Sequence, residues 1–349
     1  MAVPAARLED YVAAIFRAAG SAAGEAGLIA HHLVASNLAG HDSHGVGLVR
    51  GYLAAVARGD LRLNHRLAVM RDSGSVLVCD GGNGAGAAMA SAAMDLGIAR
   101  TRREGAAIVA LRDSYHIGRI GAWAEQCAAA GLVSIHFVNV PAHAAVAAFG
   151  GTKARLGTNP FAAGFPCGEG EPVIVDFATS RWAVGKVQVA RRANKRVPPG
   201  ILLDAEGRET DDPAALFAAP PGALLPFGEH KGFGLALACE MLAGALLGAE
   251  TQRGEPSPAI TNSMLSVILD PGALGGEAAY AERRDALLAW VTSERGEGKE
   301  IMLPGEPERM RRARLLGEGL ALDAGTRAEL AEAAASVGVD AASHLGDCA

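Results

Sequence analysis

Ser75-Val76-Leu77-Val78-Cys79-Asp80, followed at once by Gly81-Gly82-Asn83-Gly84-Ala85-Gly86, is the stretch on which the fold turns. A short apolar run, a glycine turn and an alanine-rich segment to Arg103 spell strand, turn and helix. Gly82-x-Gly84-x-x-Ala87 fits a loose dinucleotide fingerprint, and a second strand follows at Ala106 to Leu111 with Asp113 after it. Two things argue against a Rossmann domain. Asp113 stands farther past Gly82 than the roughly 25 positions expected of a ribose-binding acid. With 45 glycines in the chain, one glycine-rich turn also carries little information. The turn is better read as a tight turn permitting close packing.

Upstream, Leu8 to Ala19 and Glu25 to Leu38 read as helices, the second with Ile29 and Leu33 on one strip and Ala30, Val34 and Leu38 on the next. Val46 to Arg58 resumes a helical pattern that Gly59-Asp60 closes. Between them lies Ala39-Gly40-His41-Asp42-Ser43-His44-Gly45. A segment that only turns a corner uses Gly, Asn, Asp or Pro; two imidazoles flanking Asp-Ser add groups that titrate near neutral pH. Two further polar clusters end strand-like runs, Ser114 to Arg119 and Val175 to Ser180. Three such clusters point to one site.

Downstream, His116 stands just ahead of a helix whose Ile120, Trp123, Ala124 and Cys127 mark a buried face. The backbone N–H groups of Gly118, Arg119 and Ile120 at that helix entrance favour an anion, and Arg119 adds a charge suited to phosphate or carboxylate. Leu132 to Val138 is the next strand. Leu156-Gly157-Thr158-Asn159-Pro160 is a turn before another apolar run, Phe161 to Phe165. Asp176 follows Val173-Ile174-Val175, so its carboxylate is expected to be partly buried and to need a partner, with histidine the natural candidate. Asn194 to Asp212 reads as an exposed excursion. Phe227 to Gly234 leads into an apolar helix without the spacing of a P-loop. Met264 to Leu269 is a strand, and the tail from Glu277 is largely helical and charged.

Half of the 349 residues are hydrophobic, enough to bury a sizeable core in one to three domains. With 32 basic against 38 acidic residues the balance is −6, which argues against a nucleic-acid partner and for small-molecule ones. Five cysteines, at 79, 127, 167, 239 and 348, form no CxxC pair and fit a reducing cytoplasm. Glu9 and Asp10 interrupt any secretory signal. The uncharged run Ala128 to Thr152 and the apolar run Gly232 to Ala249 are expected to be buried core, so no membrane partner is expected.

Taken in order, Gly40 to Gly45, His116-Ile117-Gly118-Arg119-Ile120-Gly121, Gly157 to Pro160, Asp176-Phe177-Ala178-Thr179-Ser180, Gly228 to Gly232 and Leu303-Pro304-Gly305-Glu306 resemble the type 2 malate/L-lactate dehydrogenase family, nearest its hydroxycarboxylate dehydrogenase B branch. The resemblance implies a non-Rossmann NAD(P)-binding α/β (α+β) fold: a central sheet domain at 71–275 and a helical domain built from both chain ends, 1–70 and 276–349. It implies a homodimer, a cofactor that is NAD or NADP, and hydride transfer between NAD(P)H and a 2-oxo acid. His116 and then His44 are the expected acid/base groups, with Asp176 holding the imidazole; Ser43, Arg119 and Asn159 are assigned to substrate. Cofactor contacts carry over to His44, Gly118, Arg119, Ile120, Ile174, Val175, Asp176, Phe177, Ala178, His230, Lys231, Asn262, Gly305, Glu306 and Pro307. One departure stands out. Many relatives carry arginine four places after the histidine matching His44, suited to the substrate carboxylate, where this chain has Leu48; Arg50 falls on another helical face.

Three rival readings remain. Reduction of a cyclic imino acid such as piperideine-2-carboxylate needs the same hydride geometry. A metal-dependent hydrolase would use His31, His32, His41, His44 and Asp42, but no H-E-x-x-H spacing is present and adjacent His31 and His32 point apart on a helix, so no metal is expected. The third is a binding protein without turnover.

Overall fold

The computed structural model describes residues 2–141, 144–192, 194–253, 259–294 and 301–345. The first helix, α1 (Ala5–Ala18), buries Leu8, Tyr11, Val12, Ile15 and Phe16, spaced three and four apart. It packs on α2 (Ala23–Leu38), which buries Ala26, Ile29, Ala30, Leu33 and Val34. After the histidine loop, α3 (Val49–Arg58) stops at Gly59, whose φ of 81° is the left-handed cap expected of Gly59-Asp60.

Strands β1 (Ala68–Ser73) and β2 (Val76–Asp80) form a hairpin, and α4 (Gly86–Glu104) crosses to β3 (Ala106–Tyr115), which runs parallel to β2. Helix α5 (Gly121–Ala129) leads to β4 (Val133–Asn139). There follow β5 (Val146–Ala147), β6 (Ala154–Leu156), β7 (Phe161–Cys167), β8 (Gly170–Phe177), α6 (Val184–Arg192), β9 (Leu202–Leu203), β10 (Glu209–Thr210) and β11 (Ala223–Leu224). Helix α7 (His230–Cys239) precedes β12 (Thr261–Leu269), and the tail comprises α8 (Pro271–Leu274), α9 (Glu277–Ser293), α10 (Glu306–Glu318), α11 (Ala324–Ser336) and α12 (Ala341–Leu345).

The strands make two sheets, ordered β1-β2-β3-β12-β4-β7-β8 and β10-β9-β11-β5-β6. In the larger sheet only β2 and β3 are parallel neighbours among the described residues; β12 lies antiparallel between β3 and β4. One βαβ unit between neighbouring strands, β2-α4-β3, and one split by the antiparallel β12, β3-α5-β4, do not make a doubly wound nucleotide fold. The glycine turn does what close packing requires: a Cβ on Gly86 would overlap the His116 carbonyl, and one on Gly81 would press on Ser114. Small residues continue the theme along α4, where a side chain at Gly97 would strike Ile268 and Val109. A separate core joins α1 to α3 with Leu315, Leu320, Leu330, Ala333, Ala334 and Leu345 from the other chain end.

Three expectations change. The strand expected at Ala106 to Leu111 runs on to Tyr115, which brings His116 directly off its end. Asn194 to Asp212 is exposed along much of its length, as expected, but it also supplies β9 and β10, and its Val197, Ile201 and Leu202 pack with Val146, Val187, Leu216 and Leu224 in a small core of their own. Gly232 to Ala249 is not buried core throughout, since it leaves Leu237, Met241 and Leu246 exposed. By length and hydropathy His230–Leu247 is the one described helix able to cross a membrane. Within it Glu240 is buried and accepts from Asn159 Nδ2 at 3.0 Å and from the Gln252 amide at 3.2 Å.

Candidate active site

The loop after α2 is shaped by a residue the sequence reading did not single out. Asn37 donates from Nδ2 to Asp42 Oδ1 at 2.8 Å and accepts the Val46 amide on Oδ1 at 2.9 Å, so one buried side chain holds both ends of the loop. From the far side α10 lays Glu308 3.6 Å from His41 Nε2 and Arg311 3.6 Å from Asp42. Ser43 sits against α6, where Gly185 leaves it room. His44 is thereby directed inward.

Its Nδ1 lies 3.3 Å from Nε2 of His116, the rings stacked at 5.3 Å between centroids. His116 Nδ1 in turn lies 2.6 Å from the hydroxyl of Tyr52 on α3, another residue the sequence reading passed over. Burial depresses both imidazoles: His44 is pushed down to about 4, helped by the charges of His41 and Arg119, and His116 falls well below its ordinary value, helped by His44 and His32. The Tyr52 phenol is held well above 10 by burial and by Tyr115.

Asp176 is not where an Asp–His pair would put it. Its Oδ2 accepts the Gly121 amide at 3.0 Å and stands 3.8 Å from the Arg119 guanidinium, and its carboxyl is raised above the ordinary range by burial against the pull of Arg119, His41 and the Gly121 amide. The partner expected to be histidine is therefore a helix start and an arginine. Arg119 itself is 5% exposed and hydrogen-bonds Glu125 at 2.6 Å, so its charge is met within the protein. Its amide donates to Nε2 of His32 at 3.1 Å, and the His32 ring stacks on Trp123 at 5.0 Å. Burial and the Arg119 charge push His32 down to about 3, as suits a neutral ring that accepts on Nε2. Of the three amides expected to greet an anion, that of Arg119 is thus spent on His32, and the amide that follows them, at Gly121, is spent on Asp176.

Two asparagines also turn inward. Asn159 is fully buried, accepts the Val140 amide and donates to Ala236 and Glu240; Asn262 accepts the Ile117 amide and donates to Asn139 and Thr261. Their amides act as struts between segments. Asn262 does fix the residue after His116.

The remaining residues converge along β8. The Ile174 amide donates to Pro304, Gly305 turns with φ 93° against Ile174, Glu306 caps the turn by accepting from Leu303, and Pro307 enters α10. Val175 and Asp176 follow, then Phe177, 5.4 Å ring to ring from Phe227 and 5.6 Å from Phe161, and then Ala178. Thr179 accepts the Phe227 amide and so brings in α7, whose first turn holds His230 and Lys231, both exposed. Gly118 packs on His32, while Ile120 is core. The five residues weighed as metal ligands part ways: His31 meets Glu9, His32 meets Arg119, His41 meets Glu308, Asp42 meets Asn37 and His44 meets His116.

A family model described as malate/L-lactate dehydrogenase matches residues 3–331. The chain belongs to this family. Hydroxycarboxylate dehydrogenase B of Escherichia coli strain K12 is 44% identical over 337 residues, covering 95% of this chain and 93% of that protein. Among solved structures, the sulfolactate dehydrogenase of Methanocaldococcus jannaschii superposes with a TM-score of 0.88 at 31% identity, covering 97% of this chain and 98% of that one. The Δ1-piperideine-2-carboxylate reductase of Pseudomonas syringae pvar. tomato gives 0.85 at 30% identity, covering 95% and 99%. Membership in the malate/L-lactate dehydrogenase family makes this chain a nicotinamide-dependent oxidoreductase acting on CH–OH.

Proposed function

We propose that the chain interconverts a 2-oxo acid and its 2-hydroxy acid, with His44 as the group that meets the substrate oxygen. The observation that carries this is the occupancy of the imidazoles. Both nitrogens of His116 face protein partners, Tyr52 and His44, whereas Nε2 of His44 has no protein hydrogen bond among the described residues. His44 therefore stands ahead of His116 as the terminal acid and base. In reduction the pair takes up one proton from solvent as substrate binds, delivers it through His44 Nε2 to the carbonyl oxygen and returns to its neutral state; oxidation reverses both moves. Asp176 acts one step away, by fixing Arg119 and the start of α5.

The residues fit a dinucleotide. Lys231 is exposed, forms no ion pair among the described residues and stands in the first turn of a ten-residue helix that no side chain caps, an arrangement suited to a diphosphate. Ile174 to Ala178 and Gly305 to Pro307 would hold the remainder. When bound, the cofactor supplies or accepts the hydride.

Leu48 is half-buried against the N-terminal core, and Arg50 is paired with Glu332 at 3.5 Å, so neither offers a cation four places after His44. This favours larger or less polar 2-oxo acids over dicarboxylates. A homodimer is part of the proposal: α9 buries none of its 17 residues and exposes Leu287, Trp290 and Val291, as a face covered by a second copy would. The free cysteines at 79, 127, 167 and 239 suit the cytoplasm. The common core of residues 3–61 and 315–345 supports a helical unit drawn from both ends.

The test follows NADH and NADPH absorbance as 2-oxo acids of graded side chain, oxaloacetate and a cyclic imino acid are added, for the wild type and His44→Ala. Consumption with apolar or aromatic 2-oxo acids, lost by at least a thousandfold in the variant, is expected. Consumption with the imine alone would move the chain to imine reduction, and an active His44→Ala would overturn the role given to His44.

A further inference from the structure

We infer that Tyr52 is a positioning residue: its hydroxyl fixes the tautomer of His116 and, through it, that of His44, so that the resting enzyme presents an N–H at His44 Nε2. The inference rests on the proposed role of the His44–His116 pair.

Tyr52 is 5% exposed, and its ring is enclosed by aromatic neighbours, with Phe16 at 6.2 Å, Tyr115 edge-on at 5.2 Å and His116 at 6.0 Å. Among the described residues its hydroxyl has a single hydrogen-bond partner, His116 Nδ1 at 2.6 Å. A buried hydroxyl with one partner gains most by donating to it, because accepting instead would leave its own proton without an acceptor. Donation by Tyr52 requires a bare Nδ1 on His116, which puts the His116 proton on Nε2. That proton faces His44 Nδ1 at 3.3 Å, so Nδ1 of His44 accepts and its proton resides on Nε2. The three groups form one directed chain, Tyr52 to His116 to His44. Every donor in it is used except the last, which is the one left for substrate. Without the tyrosine hydroxyl, His116 could hold its proton on either nitrogen, and half of those arrangements would leave His44 Nε2 bare.

This assigns a purpose to a separation of 64 positions between Tyr52 and His116 that composition does not explain. It also distinguishes Tyr52 from Tyr115, whose ring packs on Tyr52 but whose hydroxyl has no hydrogen bond to either imidazole among the described residues.

The test uses the full-length protein and Tyr52→Phe, which keeps the ring and its packing on Phe16 and Tyr115. Nitrogen-15 spectra of the histidine rings, recorded without substrate or cofactor, should give the Nε2–H tautomer for His116 and His44 in the wild type and a mixture in Tyr52→Phe. The turnover number kcat should fall at least tenfold, with KM for cofactor and for the 2-oxo acid within about twofold of wild type. An Nδ1–H tautomer at His116 in the wild type overturns the inference even if the variant fails to fold. So does a fall in kcat with the tautomers unchanged, which would mark a merely structural effect, or altered tautomers with full kcat. Because the spectra need no turnover, a wild-type protein inactive on every 2-oxo and imino acid would sink the proposed function without deciding this point.

Discussion

The Asp176 carboxylate stands 3.8 Å from the Arg119 guanidinium and hydrogen-bonds neither His44 nor His116. Its effect on catalysis is therefore exerted through the turn from His116 to Gly121. Asp176→Asn keeps the shape and an acceptor for the Gly121 amide but leaves Arg119 with Glu125 alone. Because burial outweighs Arg119 in raising the Asp176 carboxyl, removing its charge relieves a desolvation cost as it removes the pair, and a change of less than about 1 kcal/mol in chemical denaturation is expected. KM for the cofactor should rise, and the histidine tautomers should be unchanged. A collapse of kcat at unchanged stability and cofactor KM would instead restore a direct Asp–His partnership.

Leu48→Arg should move specificity toward dicarboxylates. Position 48 closes the short helical turn Val46–Leu48, four residues after His44, and its leucine is only partly buried, so a longer side chain has an outlet. One charge-assisted pair with a substrate carboxylate is worth about 1.5 to 3 kcal/mol, on the order of ten- to a hundredfold in kcat/KM for oxaloacetate relative to a branched 2-oxo acid. A wild type already fastest on oxaloacetate would remove the premise.

Much of this site was legible in the sequence because its signals are local. His41 to His44 interrupts a helical pattern, and His116 precedes a helix whose buried face repeats every three to four residues. The partnerships were not legible, since they join residues distant in the chain: Tyr52 with His116, Gly121 with Asp176, His32 with Arg119. Asn159 and Asn262 look like ligand-binding amides for the same reason they make good struts, having two donors and an acceptor in a short side chain. The small sheet was hidden by length. β9, β10 and β11 each span two residues, too few for alternation to register, and polar turns surround them.

Acid should weaken the fold through two buried histidines that carry no proposed proton step. His32 and His136 are each pushed down to about 3, His32 by burial and Arg119, His136 by burial between Ser134 and Ser266. Their folded values are depressed, so below pH 6.5 the unfolded chain binds protons that the native protein refuses. The stabilisation is complete above that pH and is lost as pH falls toward 3, by about 1.4 kcal/mol per pH unit for each ring. Urea unfolding at pH 7, 6 and 5 should record this slope, and His136→Gln should reduce it by one histidine's share. A midpoint that does not move between pH 6 and pH 5 would show that these rings are not held neutral.

Gly86→Ala separates the two readings of the glycine turn. A pyrophosphate-binding glycine would, when replaced, raise the KM for cofactor and spare the imidazoles. Here the added methyl would collide with the carbonyl of His116 and press on that of Tyr115, at the point where β3 delivers His116 beside Tyr52 and His44. Backbone cannot yield there without moving the ring, because the next amide, at Ile117, is held by Asn262. The expected result is a loss of at least a hundredfold in kcat and a destabilisation of about 1 to 3 kcal/mol, as for an overpacked core. Cofactor binding by any protein that remains folded should change far less, since Lys231 and the Gly305 turn lie on other segments. A rise in cofactor KM with kcat intact would return the turn to the nucleotide.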